Sequence, residues 1–248
     1  MIIRKTPREI ALLKEAGRIV ALVHEELKKH IVSGITTKEI DKLSEKVIRQ
    51  NGATPSFKGY QGFPGSVCVS INDMVIHGIP DNRKLKDGDI VSVDVGACYQ
   101  GYHGDSAWTY AVGNVSSEAK ELMKVTEEAL FEGLKQAKPG NHVGDISAAI
   151  EEYVKQHGYT SPVDYTGHGV GTSIHEDPMV PNYGKSGHGP LLKTGMVIAV
   201  EPMVHIGKKD VKVLKDGWGV VTADHSLAAH YEHTIVITED GYEILTKL

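Results

Sequence analysis

The stretch LKDGDIVSVD, residues 85–94, has a second copy of its pattern 107 positions later, LKTGMVIAVE, residues 192–201. In both copies a Lys-x-Gly turn precedes a run of β-branched apolar residues. Each run has an acid at the same position, Asp94 in the first copy and Glu201 in the second. A turn followed by such a run is typical of a buried strand. The sequence therefore predicts two equivalent strands, each carrying one carboxylate.

Similarity between the two parts of the chain extends upstream of these strands. Identical residues recur 106 positions apart, and a single inserted residue reconciles this offset with the offset of 107. The identical pairs are Gly34/Gly140, Ile40/Ile146, Gln50/Gln156, Gly52/Gly158 and Thr54/Thr160. We therefore predict an internal duplication, roughly 1–112 and 113–248, within one domain of residues 1–248. Related halves place Asp94 and Glu201 on either side of a central crevice.

Helix start signals occur in both halves. Thr6, Pro7 and Glu9 combine an N-cap, a proline at the first helical position and a capping-box acid. Thr36 and Glu39 form a second capping box. One helix is predicted from Pro7 along an apolar stripe that runs to Leu27, and three more at about 37–50, 117–136 and 143–157. Strands are predicted at 66–71, 88–99, 102–112, 196–204, 211–214 and 228–238.

Composition excludes several classes of protein. The 248 residues carry 27 basic and 32 acidic side chains, a net charge of −5, which argues against general binding to nucleic acid or to anionic membranes. No apolar run approaches the ~18 residues of a membrane span, and no signal-peptide pattern opens the chain. Two cysteines cannot build a disulfide framework, which favours a reducing compartment. We expect a soluble cytoplasmic protein.

Two acids in neighbouring predicted strands indicate a metal site. Asp94 and Asp105 flank a turn near residues 99–101, so we expect them to be cross-strand neighbours with Cβ atoms about 5 Å apart. Like charges directly opposite each other are destabilising, and burial increases the cost. Neither strand has Lys or Arg nearby. A divalent cation is therefore the compensating charge that we predict.

Three more residues extend this ligand set. Glu201 and Glu232 each accompany an apolar strand, and His168 lies among the glycines of TGHGVG. Carboxylates with one imidazole suit Mn²⁺, Fe²⁺ or Co²⁺, and Zn²⁺ tolerably, and five side chains suit two ions that share ligands. Six other histidines show no partner pattern and are interpreted as structural or surface residues: His103, His188, His205, His225, His230 and His233.

Five motifs carry a resemblance to a known family. They are GYQGFPGSVCVSIND-x-x-x-HGIP (59–80), VDVGA with GYHGD (93–97 and 101–105), TGHGVG-x-x-x-HE-x-P (166–178), VIAVEP (197–202) and YEHTI (231–235). In order and spacing the chain resembles the type I methionine aminopeptidases of the short bacterial form, members of the M24 metallopeptidases. The resemblance implies an α/β "pita-bread" fold, with two pseudo-twofold halves and an antiparallel sheet backed by two pairs of helices.

The resemblance also implies an activity and its catalytic residues. The family removes the initiator methionine from new chains whose second residue is small, through a hydroxide that bridges two divalent ions. The implied metal ligands are Asp94, Asp105, His168, Glu201 and Glu232. Glu201 would also shuttle the proton. His175 would donate a hydrogen bond to the oxyanion, and His77 would contact the amide next to the scissile bond.

A methionine pocket follows from the same resemblance. Its implied lining residues are Phe57, Tyr60, Phe63, Cys68, Ile174 and Trp218. Phe57 and Ile174 depart from residues common in relatives, which affects the expected shape of the pocket but not the reaction. The implied partners are the N-terminal methionine peptides of nascent proteins, with transient ribosome association. We expect a monomer.

Two alternatives remain open at this point. A prolidase or aminopeptidase P would use a similar ligand set on Xaa-Pro bonds, but these relatives usually carry a large additional N-terminal domain. A catalytically silent binding relative would keep the fold and lose ligands, whereas all five ligands are present here.

Overall fold

The computed structural model describes all residues, 1–248, as four α-helices and fourteen strands. The helices are α1 (Pro7–His30), α2 (Thr37–Gln50), α3 (Ser117–Leu134) and α4 (Val143–Gln156), with a 3₁₀ turn at Tyr60–Gly62. The first seven strands are β1 (Thr54–Pro55), β2 (Cys68–Ile71), β3 (Met74–Ile76), β4 (Ile90–Tyr99), β5 (Tyr102–Ala111), β6 (Thr166–Gly169) and β7 (Glu176–Pro181). The other seven are β8 (Val197–Val200), β9 (Met203–His205), β10 (Val211–Val213), β11 (Val220–Thr222), β12 (Ala228–His230), β13 (His233–Ile237) and β14 (Tyr242–Ile244). None of the helices combines the length and apolarity that a membrane crossing requires.

Helix starts follow the predicted capping signals. The side chain of Thr6 accepts the Glu9 N–H, and the Glu9 carboxylate accepts the Thr6 N–H at 2.7 Å. Thr36 and Glu39 repeat this pair of bonds at α2. Each capping box satisfies two N–H groups that the first helical turn leaves without partners.

Strands pair only in an antiparallel manner and form one main sheet in each half. The first sheet has the order β1-β4-β2, with β5 also paired to β4, and the second has the order β14-β13-β8-β6-β7. Helices α1 and α2 cover the first sheet through an apolar core that includes Ile19, Ile40 and Val93. Helices α3 and α4 cover the second through a core that includes Leu122 and Ile198. The antiparallel α/β fold predicted from the sequence is confirmed.

The two halves match in backbone detail. Helix α4 begins and ends 106 residues after α2. Gly34 and Gly140, which precede these helices, have φ of 96° and 90°, in the left-handed region that favours glycine. The N–H of each donates to an equivalent leucine carbonyl, that of Leu85 or Leu192. These matches support the duplication, which stays a prediction.

Two predicted strands are interrupted at their acids. The stretch 196–204 divides into β8 and β9 at Glu201 and Pro202, and the stretch 228–238 divides into β12 and β13 at Tyr231 and Glu232. Pro202 has no N–H to donate to a ladder, which explains the first break. Strands β6 and β7 lie in the Gly- and Pro-rich stretch 161–190, where no apolar alternation indicates them.

The predicted register of the first hairpin is wrong by two residues. Asp94 lies opposite Ala107, and Asp105 lies opposite Gly96. The turn residues Gln100 and Gly101 have φ of 48° and 84°, as a two-residue type I′ turn requires, so the hairpin is centred later than expected. The acids are therefore diagonal neighbours on one face, and their carboxyl groups are close enough to share a hydrogen bond.

Candidate metal centre

The five predicted metal ligands line one cavity of about 620 Å³ between the two halves. They are Asp94 in β4, Asp105 in β5, His168 in β6, Glu201 directly after β8 and Glu232 directly before β13. We call these five residues the acid cluster. The strand breaks described above release Glu201 and Glu232 from regular pairing, so that both carboxylates reach the cavity.

His168 has the orientation of a metal-ligating histidine. Its Nδ1 lies 2.9 Å from the Gly169 carbonyl, which only accepts, so Nδ1 carries the proton. Nε2 lies 3.6 Å from Asp105 Oδ2 and 3.4 Å from Glu201 Oε1. Burial lowers the pKa of His168 to about 3, so Nε2 presents a lone pair to these oxygens. A backbone carbonyl that fixes the far nitrogen is typical of metal-bound histidines.

The carboxylates of the acid cluster lack positive partners within the chain. Burial raises the pKa of Asp94 to about 7 and that of Glu201 to about 8. Burial, reinforced by the neighbouring carboxylates, raises the pKa of Asp105 and of Glu232 well above the usual range. One buried oxygen each of Asp94, Asp105 and Glu232 has no hydrogen-bond partner. Divalent cations fit this donor set, because they would stabilise the ionised acids and satisfy the unpaired oxygens.

His230 belongs to this site, and its interpretation as a structural or surface residue is wrong. Its Nε2 lies 3.3 Å from Glu201 Oε2 and 4.0 Å from Glu232 Oε2, and its side chain is 2% exposed. Glu201, His230 and Glu232 form one group of potential ligands, and Asp105, His168 and Glu232 form another. The H-Y-E spacing was the available signal, since residues i and i+2 of a strand share a face.

Both halves contribute to the acid cluster through a shared seam. Thr234 Oγ1 donates to the Asp105 carbonyl at 2.7 Å and accepts the Asp105 N–H at 3.2 Å. Ser106 Oγ donates to the Glu232 carbonyl at 2.6 Å, and the Glu232 N–H donates to Ala107. These bonds join β5 of the first half to β13 of the second at the position of the acids.

The two predicted catalytic histidines lie at the same cavity. Nδ1 of His175 shares a 2.9 Å hydrogen bond with the Tyr60 hydroxyl, and its ring centroid lies 4.3 Å from that of His168. His77 has a left-handed φ of 60° and edge contacts with the rings of Tyr165 and Trp218. Burial lowers the pKa of His77 to about 4, so its imidazole is neutral near pH 7.

An apolar cluster adjoins the acid cluster. Phe57, Phe63, Cys68 and Ile174 are buried together, and Tyr60 and Trp218 pack against them. Phe63 and Trp218 meet edge to face, with ring centroids 5.1 Å apart. Cys68 lies opposite Asp94 in the sheet, so the apolar cluster begins next to the acids. All six predicted pocket residues are therefore together, although Ile174 packs behind the cavity wall.

Several residues of the cavity wall have no predicted role. They are Gln61, Ile76, Asp164, Tyr165, Thr166, Glu176, Asp177 and Met179. Most of them belong to the stretch 161–190, whose composition carries no periodic signal. Gln61, Thr166 and Glu176 lie within the quoted motifs, but no role was predicted for them.

Comparisons with known proteins agree with this geometry. Residues 11–239 match the model of "Metallopeptidase family M24". The "Methionine aminopeptidase 1" of Bacillus subtilis is 58% identical over 248 residues, which cover 100% of both chains. The methionine aminopeptidase of Escherichia coli is 43% identical over 98% of this chain and 92% of that protein.

Solved structures give the same result. A methionine aminopeptidase from Thermotoga maritima matches with a TM-score of 0.98 and 49% identity over 100% of both chains. A prolidase from Pyrococcus furiosus matches with a TM-score of 0.82 and 27% identity, over 99% of this chain and 66% of that one. The chain belongs to metallopeptidase family M24.

Proposed function

We propose that this chain is a methionine aminopeptidase that removes the N-terminal methionine from polypeptides with a small second residue. The observation that carries the proposal is the apolar cluster beside the acid cluster. An apolar side chain seated against Cys68 and Trp218 brings its own peptide carbonyl toward the carboxylates. Relatives named methionine aminopeptidase at up to 58% identity support this assignment.

The acid cluster would hold two divalent ions, for which Co²⁺, Mn²⁺ and Fe²⁺ are the best candidates and Zn²⁺ is acceptable. When bound, such ions would lower the pKa of water toward 7 and would polarise the scissile carbonyl. Support comes from the unpaired buried oxygens of Asp94, Asp105 and Glu232 and from the fixed orientation of His168.

Three side chains are proposed to act on the substrate. A Glu201 carboxylate oxygen takes the proton of the attacking water and returns it to the leaving amine. His175 donates a hydrogen bond to the oxygen on which charge develops. His77 contacts the amide next to the scissile bond. The positions of His77 and His175 at the cavity beside the acid cluster support these roles.

Peptide hydrolysis separates this proposal from its alternatives. Incubation with Met-Ala-Ser and with Ala-Pro, each with and without EDTA, is the direct assay. We expect the protein to cleave Met-Ala-Ser and not Ala-Pro. EDTA should abolish this cleavage, and added divalent ions should restore it. Preferential cleavage of Ala-Pro would indicate an Xaa-Pro peptidase, and cleavage of neither would indicate a silent relative.

Metal content provides a test that does not depend on turnover. Asp105 contributes to both the ligand set and the seam, and Asp105→Asn removes one ionisable ligand. We expect the folded variant to bind fewer divalent ions than the wild type when both are titrated and analysed by mass spectrometry. Asp240→Asn, at an exposed position outside the cavity, is the matched control. Equal metal stoichiometry in wild type and Asp105→Asn would exclude Asp105 as a ligand.

We further propose that the protein is a cytoplasmic monomer that acts on nascent chains and associates transiently with the ribosome. Two cysteines cannot build a disulfide framework, which favours a reducing compartment. Sedimentation analysis tests the monomer, and cosedimentation with translating ribosomes tests the association.

A further inference from the structure

We infer that Lys5 and Glu176 are positioning residues for His175, and this inference rests on the proposed function. Lys5 Nζ donates to Glu176 Oε2 at 2.5 Å, and the two side chains are 3% and 13% exposed. In every other ion pair of a lysine or arginine, the basic side chain is at least 42% exposed. A buried pair next to a proposed catalytic histidine calls for a specific role.

Glu176 closes the turn that carries His175. We call residues 170–175 the His175 turn; it connects β6 to β7, and Glu176 is the first residue of β7. While Oε2 accepts Lys5, Oε1 accepts the N–H of Ser173 at 3.2 Å. A Cβ on Gly171 would lie 2.2 Å from Glu176 Oε1 and 2.3 Å from Lys5 Nζ. The ion pair therefore packs directly against the backbone at the start of the turn.

Lys5 is itself held from outside the turn. Its N–H donates to the Gly195 carbonyl at 2.6 Å, and it directly precedes Thr6, the N-cap of α1. The pair thus connects the capped start of α1 to the His175 turn. The only side-chain hydrogen bond that anchors the His175 ring is the one to Tyr60. Backbone hydrogen bonds also hold the turn, from the His103 N–H to the Gly171 carbonyl and from the Gly171 N–H to the Ser173 carbonyl, and Glu176 is the side chain that binds to its backbone.

Loss of one charge should displace His175 without emptying the acid cluster. Lys5→Met removes the cation beside the buried Glu176 carboxylate. An uncompensated buried charge is strongly unfavourable, so we expect the His175 turn to shift. A misplacement of about 1 Å can reduce a rate ~100-fold. We expect kcat on Met-Ala-Ser to fall about 10- to 100-fold, with KM changed less than threefold and metal stoichiometry unchanged. Lys14→Met is the matched control, because it breaks an exposed ion pair between Lys14 of α1 and Glu243 of β14.

A double-mutant comparison shows whether the fall in kcat of Lys5→Met is transmitted through His175. If Lys5 acts through His175, Lys5→Met causes no further loss in a His175→Ala background. If Lys5→Met lowers kcat in the His175→Ala background by the same factor as in the wild type, the Lys5–Glu176 pair does not act through His175 and the inference is wrong. Unchanged kcat in Lys5→Met alone would also overturn it.

Two further tests use an uncharged Lys5–Glu176 pair and hydrogen exchange of the metal-free protein. Lys5→Met combined with Glu176→Gln removes both charges, so we expect this variant to recover most of the lost kcat and stability. In metal-free Lys5→Met, amide hydrogen exchange should accelerate in residues 171–176 and not in α2. Unchanged exchange there would refute the inference even if the enzyme were slow. An inactive wild type with accelerated exchange in the variant would instead count against the proposed function alone.

Discussion

The orientation of single side chains decides what the acid cluster can bind. His168 is held by its own neighbour, the Gly169 carbonyl, so that only Nε2 faces the carboxylates. The carboxylate oxygens around it are buried and partly unpaired. Several carboxylates can be ionised beside a neutral imidazole at this density only with added positive charge, which is why burial without it raises the pKa of Asp94 and of Glu201. The residue types were readable in the sequence, but the direction of the Nε2 lone pair was not.

His175→Ala tests the proposed oxyanion donor. His175 lies outside both groups of potential metal ligands, so we expect unchanged metal stoichiometry. Loss of one oxyanion donor typically removes about 2.7–4 kcal/mol of transition-state stabilisation, so turnover should fall ~100-fold or more. Single-turnover hydrolysis of Met-Ala-Ser measures it, with the exposed His188→Ala as control. Wild-type turnover in a metal-replete His175→Ala protein would refute the role.

Between elements, the close approach of α1 to the first sheet depends on glycine. A Cβ on Gly17 would lie 2.3 Å from the Leu245 carbonyl oxygen, and a Cβ on Gly104 would lie 2.6 Å from the Gly17 nitrogen. Helix, sheet and the C-terminal segment therefore meet backbone to backbone at this point. The contact supports β5, the strand that carries Asp105.

Gly17→Ala should destabilise the fold although alanine favours helices. The inserted methyl group forces α1 away from Leu245, and such overpacking typically costs about 1–3 kcal/mol. Alanine's helix preference offsets about 1 kcal/mol of this. Urea unfolding should give a lower free energy of unfolding for Gly17→Ala than for Gly241→Ala, whose added Cβ meets nothing within 4 Å. Equal stabilities would contradict the tight contact.

A buried histidine joins α1 to β5 and predicts acid sensitivity. Nε2 of His24 donates to the Ser106 carbonyl at 3.0 Å, so Nδ1, 2.7 Å from the Tyr110 hydroxyl, accepts from it. Burial lowers the pKa of His24 to about 3 from 6.5. The unfolded chain therefore binds more protons between these values, so stability is complete above pH 6.5 and decreases as pH falls toward 3.

His24→Gln should make the free energy of unfolding depend less steeply on pH. Each pKa unit corresponds to about 1.36 kcal/mol. Protonation of His24 in the unfolded chain should therefore lower the free energy of unfolding by about 3 kcal/mol between pH 6.5 and 4. We expect the free energy of unfolding of the wild type to decrease more steeply between pH 6.5 and 4 than that of His24→Gln. His30→Gln, on an exposed position of α1, is the control. Parallel profiles for wild type and His24→Gln would show that His24 does not titrate in this way.

At the scale of the whole molecule, the site exists only where the halves meet. Asp94 and Asp105 come from the first half, and His168, Glu201 and Glu232 come from the second. Hydrogen bonds across the seam hold β5 against β13 at this point. The duplicated arrangement, which stays a prediction, would explain why equivalent strands present acids from both sides.

Thr234→Val tests the seam. The substitution keeps the side-chain shape but removes the hydroxyl that bonds both backbone groups of Asp105. Leaving a buried polar group unpaired costs about 1–3 kcal/mol, so the free energy of unfolding should fall by that amount. Metal affinity should also fall, because Asp105 is less well fixed; Thr54→Val, at an exposed site in β1, is the control. Unchanged stability and affinity would show that the seam does not depend on this hydroxyl.

The sequence by itself determined the helices, their caps, the repeated strands and the residue types of the acid cluster. Capping boxes, apolar periodicity and turn signals act over a few residues, so Thr6 and Thr36 indicate where α1 and α2 begin, and the two Lys-x-Gly turns indicate where the repeated strands begin. The motif resemblance added the family and the pocket residues. All of these depend on local or recognisable patterns.

Only the tertiary structure decided the register of the first hairpin, the break at Glu232, the contact of His230 with Glu201 and the Lys5–Glu176 pair. A two-residue shift of register preserves the face of every side chain, so alternation could not detect it. His230 meets Glu201, and Lys5 meets Glu176, from separate segments of the chain. Such contacts are set by how the halves pack and by which charges burial leaves without water, and no local pattern encodes them.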